Sequence, residues 1–149
     1  MRPVRLRPAT IPDLRMILEE IEDFWQGRDT AFLHQALYVH EFGETSVLAE
    51  DEDGRVLGYL LGFVNPQRVG YIHAVAVRTD ARGHGLARGL YDRFAELAGA
   101  RGARALKAIT GPENAGSRAF HAALGFSAEE VEGYSPSGGV RIVFRRDLP

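Results

Sequence analysis

Val75-Ala76-Val77-Arg78-Thr79-Asp80-Ala81-Arg82-Gly83-His84-Gly85-Leu86-Ala87-Arg88-Gly89-Leu90-Tyr91 decides how this 149-residue chain is read. An apolar, β-rich run stops at a polar turn, and a loop of small residues from Gly83 to Ala87 opens directly into a helical pattern. Small residues let backbone N–H groups converge on an anion, and a helix start adds unsatisfied donors and the positive end of the helix dipole. The stretch therefore reads as strand, phosphate-binding turn and helix. Two other nucleotide loops fail on their own requirements. A dinucleotide fingerprint starting at Gly83 meets Arg88 at its third glycine position, and the next candidate strand, 104–110, carries no carboxylate for a ribose. A P-loop needs Gly-Lys-Ser/Thr, and Lys107 is the only lysine. A glycine-rich turn without a ligand is the remaining alternative.

Upstream of this stretch, Val4 to Pro8 alternates like a strand. Thr10 with Asp13 marks a helix start, and Pro12 is tolerated in its first turn. Leu14, Ile17, Leu18, Ile21 and Trp25 recur at helical spacing, and Phe32, Leu33, Ala36 and Leu37 predict a second short helix over 30–40. Strands 46–50 and 56–64 join through Asp53-Gly54, a hairpin signal, and 69–77 leads into the loop. Leu86, Leu90, Phe94, Leu97 and Ala98 form one helical stripe that ends near Gly99 or Gly102. A strand over 103–109, a helix over 114–124 between Asn114 and Gly125, and strands 126–132 and 140–145 complete the order β-α-α-β-β-β-α-β-α-β-β.

The spacing Arg82-x-x-Gly85-x-Ala87 resembles the coenzyme A pyrophosphate loop of the GNAT superfamily of N-acetyltransferases, Gln/Arg-x-x-Gly-x-Gly/Ala. Asn114-Ala115-Gly116-Ser117-Arg118-Ala119-Phe120-His121-Ala122-Ala123-Leu124-Gly125-Phe126 resembles that superfamily's other signature, from an asparagine through an aromatic pair to Leu-Gly-Phe. The element order matches as well, so the resemblance covers the whole chain. It implies an α/β fold, with a mixed, mostly antiparallel central sheet flanked by helices, as one domain over 1–149. It also implies acetyl-CoA as co-substrate, no metal, and direct transfer of the acetyl group from the thioester to a primary amine of a small molecule. By the resemblance the amides of Gly83, His84, Gly85, Leu86, Ala87 and Arg88 hold the pyrophosphate, with added charge from Arg82 and Arg88. The backbone of Val75, Ala76 and Val77 pairs with the pantetheine, and Asn114 contacts the cofactor arm, a role compatible with a plain N-cap. Members are often dimers, which implies a homodimer here.

An alkylamine with a pKa of about 10.4 is mostly ammonium at pH 7, so a base must take a proton from it. The period of two puts Tyr71 and His73 on one face of their strand, and His73 is the expected base. The run resembles the strand of arylalkylamine N-acetyltransferases, where two histidines occupy the positions of Tyr71 and His73; only the second is histidine here. His121 stands seven residues after Asn114, where the family's usual tyrosine protonates the departing thiolate. Histidine is chemically able to do the same, and His121 is the expected acid. A packed histidine is the alternative for each. Phe24, Trp25, Tyr38, Tyr71 and Tyr134 are candidate walls of the acceptor pocket.

Composition narrows the partners. The net charge of −2 argues against nucleic acid, no apolar run reaches the length of a membrane span, and the basic start 1–7 lacks the apolar stretch of a signal peptide. Without cysteine there is no disulfide and no thiolate chemistry, and His34, His40 and His84 show no metal-ligand spacing, so a cytoplasmic protein is expected. Residues 1–53 hold 12 acidic and 5 basic side chains, a balance of −7 that would suit steering of a cationic amine. Two other functions stay open at this stage. One is acetylation of a protein N-terminus or lysine, which needs an open groove; the other is a non-catalytic acyl-CoA-binding module.

Overall fold

The computed structural model describes residues 3–149; Met1 and Arg2, the first residues of the basic start, lie outside the described residues. Seven strands form one sheet: β1 (Val4–Pro8), β2 (Val47–Asp51), β3 (Val56–Val64), β4 (Val69–Val77), β5 (Ala105–Thr110), β6 (Ser127–Glu132) and β7 (Val140–Asp147). Their spatial order is β1-β2-β3-β4-β5-β7-β6, and every neighbouring pair is antiparallel except β4 and β5. The helices are α1 (Ile11–Glu19), α2 (Ile21–Trp25), α3 (Leu37–His40), α4 (Leu86–Ala100) and α5 (Ala115–Ala123). The mixed sheet with flanking helices is the α/β fold expected from the sequence.

Helices lie on both faces, which explains why β3 is apolar without alternation. Its Leu57 and Leu60 join the core under α4 with Leu90, Phe94 and Phe144, while Tyr59 and Leu61 join the core under α1–α3 with Ile17, Phe24 and Tyr38. At Gly62 a Cβ would stand 2.7 Å from the Phe94 ring and from Tyr71 O, so glycine is what lets α4 sit this close to the sheet.

Local signals behave as their chemistry requires. Thr10 and Asp13 cap α1 reciprocally, and the Arg7 guanidinium grips the same carboxylate at 2.8 Å. Asn114 Oδ1 accepts the Ser117 N–H at 3.0 Å to start α5, and Gly125 follows its end at φ 86°. Two expectations fail. The first helical segment breaks at Glu20, and Leu18 is 40% exposed instead of facing the core. The break brings Glu20 and Asp23 together on the Arg78 guanidinium, at 2.8 and 3.0 Å. The helix expected over 30–40 is a single 3-10 turn, Ala31–Leu33, followed by the one-turn α3. There the Thr30 carbonyl takes both the Leu33 N–H and the His34 ring, so the turn does not propagate, and Phe32 and Leu37 face outward.

Candidate active site

The parallel β4–β5 pair holds only from Val69–Ala105 to Tyr71–Lys107. Beyond Tyr71 the strands part, and a cavity of about 730 Å³ fills the gap. Its walls include Val75, Ala76 and Val77 on β4, Thr110 beyond the split on β5, and Asn114, Ser117 and His121 from α5. That edge of β4 has no strand partner past Tyr71, so its backbone groups are available to a ligand.

At the mouth stands the glycine loop. Gly83 and Gly85 take φ of 81° and 78°, a left-handed backbone that glycine adopts without strain, and the space over both is open. No side chain caps the first turn of α4, so its leading N–H groups face out unfilled. Gly83, His84, Gly85 and Arg88 are exposed, Leu86 is buried, and Ala87 lines the cavity. Arg82 is placed differently from the expectation of added phosphate charge. Its guanidinium donates to Val77 O, Phe24 O and Gln26 Oε1 at 3.1–3.2 Å, tying the loop to α2.

His73 is the extra residue of a β-bulge: Ile72 pairs with Gly62 and Ala74 with Leu61, leaving His73 between them unpaired. Its ring stacks on Tyr38 at 4.4 Å, and Nε2 lies 3.0 Å from Leu33 O. A carbonyl only accepts, so Nε2 carries the proton and Nδ1 holds the lone pair. His73 lines the cavity, and its Nδ1 makes no hydrogen bond among the described residues, while Thr30 Oγ1 is the one fully buried side-chain oxygen or nitrogen there without a partner. Burial holds the His73 pKa below its usual value, aided by neighbouring His34, and the ring is neutral at pH 7.

His121 is 5% exposed and stacks on Phe144 at 4.0 Å. Nδ1 donates to Ser117 O at 2.8 Å, which leaves Nε2 to accept the Tyr91 hydroxyl at 2.7 Å. Burial again lowers the pKa. The direct acid role expected of His121 does not follow from this geometry, because the neutral ring keeps its one proton on the Ser117 side. Tyr91, missed in the sequence, lies 30 positions away on α4, with no local spacing to signal the pair.

Among the candidate acceptor walls, Phe24, Trp25 and Tyr71 line the cavity. Tyr38 lies behind His73, and Tyr134 is 37% exposed under the Lys107 ammonium, 5.1 Å from its ring centroid; neither lines it. Trp25 is held by a chain that no local spacing signals: Trp25 Nε1–H donates to Tyr59 Oη at 2.7 Å, and Tyr59 donates to His34 Nε2 at 2.6 Å. His34 Nδ1 closes the chain on Thr30 O at 3.0 Å. Arg78, also unforeseen, is buried against the Phe24 ring and donates to Val56 O, Glu20 and Asp23.

The acidic surplus of residues 1–53 does not reach the cavity, whose lining contains no Asp or Glu. Asp13 and Glu50 hold Arg7, Glu20 and Asp23 hold Arg78, and Glu44 holds Arg101. These five carboxylates, of the twelve in residues 1–53, are engaged in holding arginines, and none of the twelve lines the cavity. Among the described residues no cluster of three His, Asp or Glu is arranged to hold a metal ion, and no helix is long and apolar enough to cross a membrane.

Known proteins align with this arrangement. The chain is 34% identical over 90 residues to the L-2,4-diaminobutyric acid acetyltransferase of Bordetella parapertussis, covering 59% of this chain and 48% of that protein. A protein of the same description from Nocardia farcinica is 31% identical, covering 59% and 46%. The chain thus spans about half the length of the curated relatives it matches. Among solved structures, a GNAT-family protein from Desulfovibrio desulfuricans superposes with a TM-score of 0.82 at 22% identity, over 99% of this chain and 100% of that one, a likeness of fold. The model of the acetyltransferase (GNAT) family matches residues 12–126, from the first helix through the Leu124-Gly125-Phe126 turn, and the chain belongs to that family.

Proposed function

We propose that this protein is an acetyl-CoA-dependent N-acetyltransferase acting on the primary amine of a small molecule. The observation that carries the reading is His73, a histidine lining the cavity at the bulge where β4 leaves β5, whose Nε2–H is spent on Leu33 O and whose Nδ1 has no partner among the described residues. The glycine loop fits the cofactor's phosphates: its space is open, and uncapped N–H groups at a helix start favour an anion. The amides of Gly83 to Arg88 hold the pyrophosphate, the free edge at Val75 to Val77 takes the pantetheine amides, and Asn114 borders the same arm. The diaminobutyrate acetyltransferases that the chain resembles support a small amine as acceptor over a protein.

When bound, the cofactor supplies an acetyl group as a thioester; the amine nitrogen forms the new C–N bond as the C–S bond breaks, and the sulfur leaves as the thiolate of coenzyme A, which takes up the second proton that the nitrogen sheds as the amide forms. His73 accepts the proton that the amine must lose, and Leu33 O fixes its tautomer. His121 is a positioning residue, holding the Tyr91 hydroxyl beside the gap and packing α5 on Phe144. The test is thiol release across an amine panel, together with His73→Ala. General-base loss should lower kcat/KM by about 10²–10⁴-fold, most at lower pH where the amine is more protonated, while acetyl-CoA affinity by calorimetry stays near normal. Gly85→Asp, which adds a negative charge at a φ of 78°, should instead abolish acetyl-CoA binding and leave the fold intact. A loss below threefold in His73→Ala, or normal binding in Gly85→Asp, would overturn the reading.

A further inference from the structure

The charge of the cavity is one-sided. Arg28, Arg82 and Arg141 line it, and no carboxylate does. Arg82 is committed to Val77 O, Phe24 O and Gln26. Arg28 and Arg141 are not: among the described residues neither pairs with a carboxylate. The Arg28 guanidinium stands over the Trp25 ring, 5.7 Å from its centroid, and Arg141 reaches only the carbonyl of its neighbour Val140, at 3.2 Å.

Their side of the sheet separates them from the phosphate loop. Ile142 and Phe144 of β7 face the core under α4 and α5, so the alternating pleat turns Arg141 to the opposite face. Arg28 follows α2, whose Phe24 belongs to the core on that same opposite face, and His73 stacks there on Tyr38 of α3. The glycine loop instead feeds α4, whose Leu86 and Leu90 lie in the α4–α5 core. The two free guanidinium groups thus share a face with the base, and the anion-binding helix start lies on the other.

We propose that the acceptor is an amine that also carries a carboxylate, and that Arg28 and Arg141 hold this carboxylate while the amine is presented to His73 Nδ1. The proposal rests on the cavity being the acetyl-transfer site. Two arginines without a counter-ion in a concave site favour a ligand with an oxyanion, and a guanidinium binds a carboxylate through paired charge-assisted hydrogen bonds. Thr30 lies two residues from Arg28 and lines the same cavity, and its hydroxyl is the buried one without a partner. The inner end of this loop therefore keeps hydrogen-bonding capacity that the protein itself leaves unused.

The experiment pairs amino acids with the amines left when their carboxylates are removed, such as ornithine with putrescine and lysine with cadaverine. Thiol release is measured for each, in the unaltered protein and in Arg28→Gln and Arg141→Gln. The acid member of at least one pair should be preferred about 10-fold or more in kcat/KM. Each variant should raise the KM for that acid about 10- to 100-fold, with acetyl-CoA KM within twofold, and the preference should collapse. Equal or better use of the decarboxylated members overturns the carboxylate proposal and leaves the acetyl-transfer reading standing. A rise in acetyl-CoA KM in the variants also overturns it, assigning the arginines to the cofactor. Acetyl-CoA binding with no turnover of any amine overturns both.

Discussion

The hydrogen bond between Tyr91 and His121 can be weighed directly. Tyr91→Phe keeps a ring that is 1% exposed and packed edge-on against Phe120, His121 and Phe126, and removes only the hydroxyl. The loss strands the lone pair on His121 Nε2 in the core, at a cost of about 1–3 kcal/mol. His121→Phe keeps a ring against Phe144 but gives up the bond to Ser117 O and strands the Tyr91 hydroxyl proton, at a similar cost. With both replaced, no polar atom of the pair remains unsatisfied, so the double variant should lose less than the sum of the singles by about 1–2 kcal/mol. Urea denaturation at pH 8 measures this with the histidines neutral in both folded and unfolded states. In a domain of this size each kcal/mol shows as roughly 2–4 °C in Tm. Tyr91→Phe should also raise the His121 pKa followed by NMR, because the lost donor stabilised the neutral ring. Losses that add within about 0.5 kcal/mol, or an unmoved His121 pKa, would mean that the pair is not bonded as described.

Acid should destabilise the fold in two separate windows. His34 and His121 are under a tenth exposed with lowered pKa, so below the unfolded value near 6.5 the unfolded chain gains protons that the folded rings do not. Between pH 8 and 5.5 each should withdraw up to about 1.4 kcal/mol, and half-buried His73 less. The contribution of Asp13 and Asp23, whose carboxyl pKa values are also lowered, is lost only as pH falls further through the carboxylate range. Stability that is flat from pH 8 to 5.5 would contradict the neutral buried rings. Thr30→Val should stabilise the chain by about 1 kcal/mol, because it replaces a buried, unpartnered hydroxyl with a methyl group; a lower Tm would show that the hydroxyl has a partner.

What could be read in advance and what could not divides by sequence distance. The glycine loop, the Asn114 cap and the Asp53-Gly54 hairpin depend on neighbouring residues, and each lies where the sequence puts it. The break at Glu20 depends on Arg78, 58 positions away, and the 3-10 turn at Ala31 on a histidine tied to Tyr59, 25 positions away. Helical periodicity has no access to either. The same limit applies to the acidic surplus: counting carboxylates gives their number, and only the fold shows that Arg7, Arg78 and Arg101 hold five of the twelve and that none lines the cavity. His73 was legible as a residue, but its tautomer depends on Leu33 O, 40 positions away.

The three-rung seam between β4 and β5 also bears on how the molecule holds together. It divides the sheet into a four-stranded panel, β1 to β4, and a three-stranded panel, β5-β7-β6. A ligand lying along the gap would splint the panels, bonding to one where the other has turned away. A ligand that binds the folded chain and not the unfolded one would, at 100 times its Kd, add about 2.7 kcal/mol of stability by mass action. Amide exchange should then slow on both flanks of the gap together, so the protection gained at β5 would report a contact made on β4.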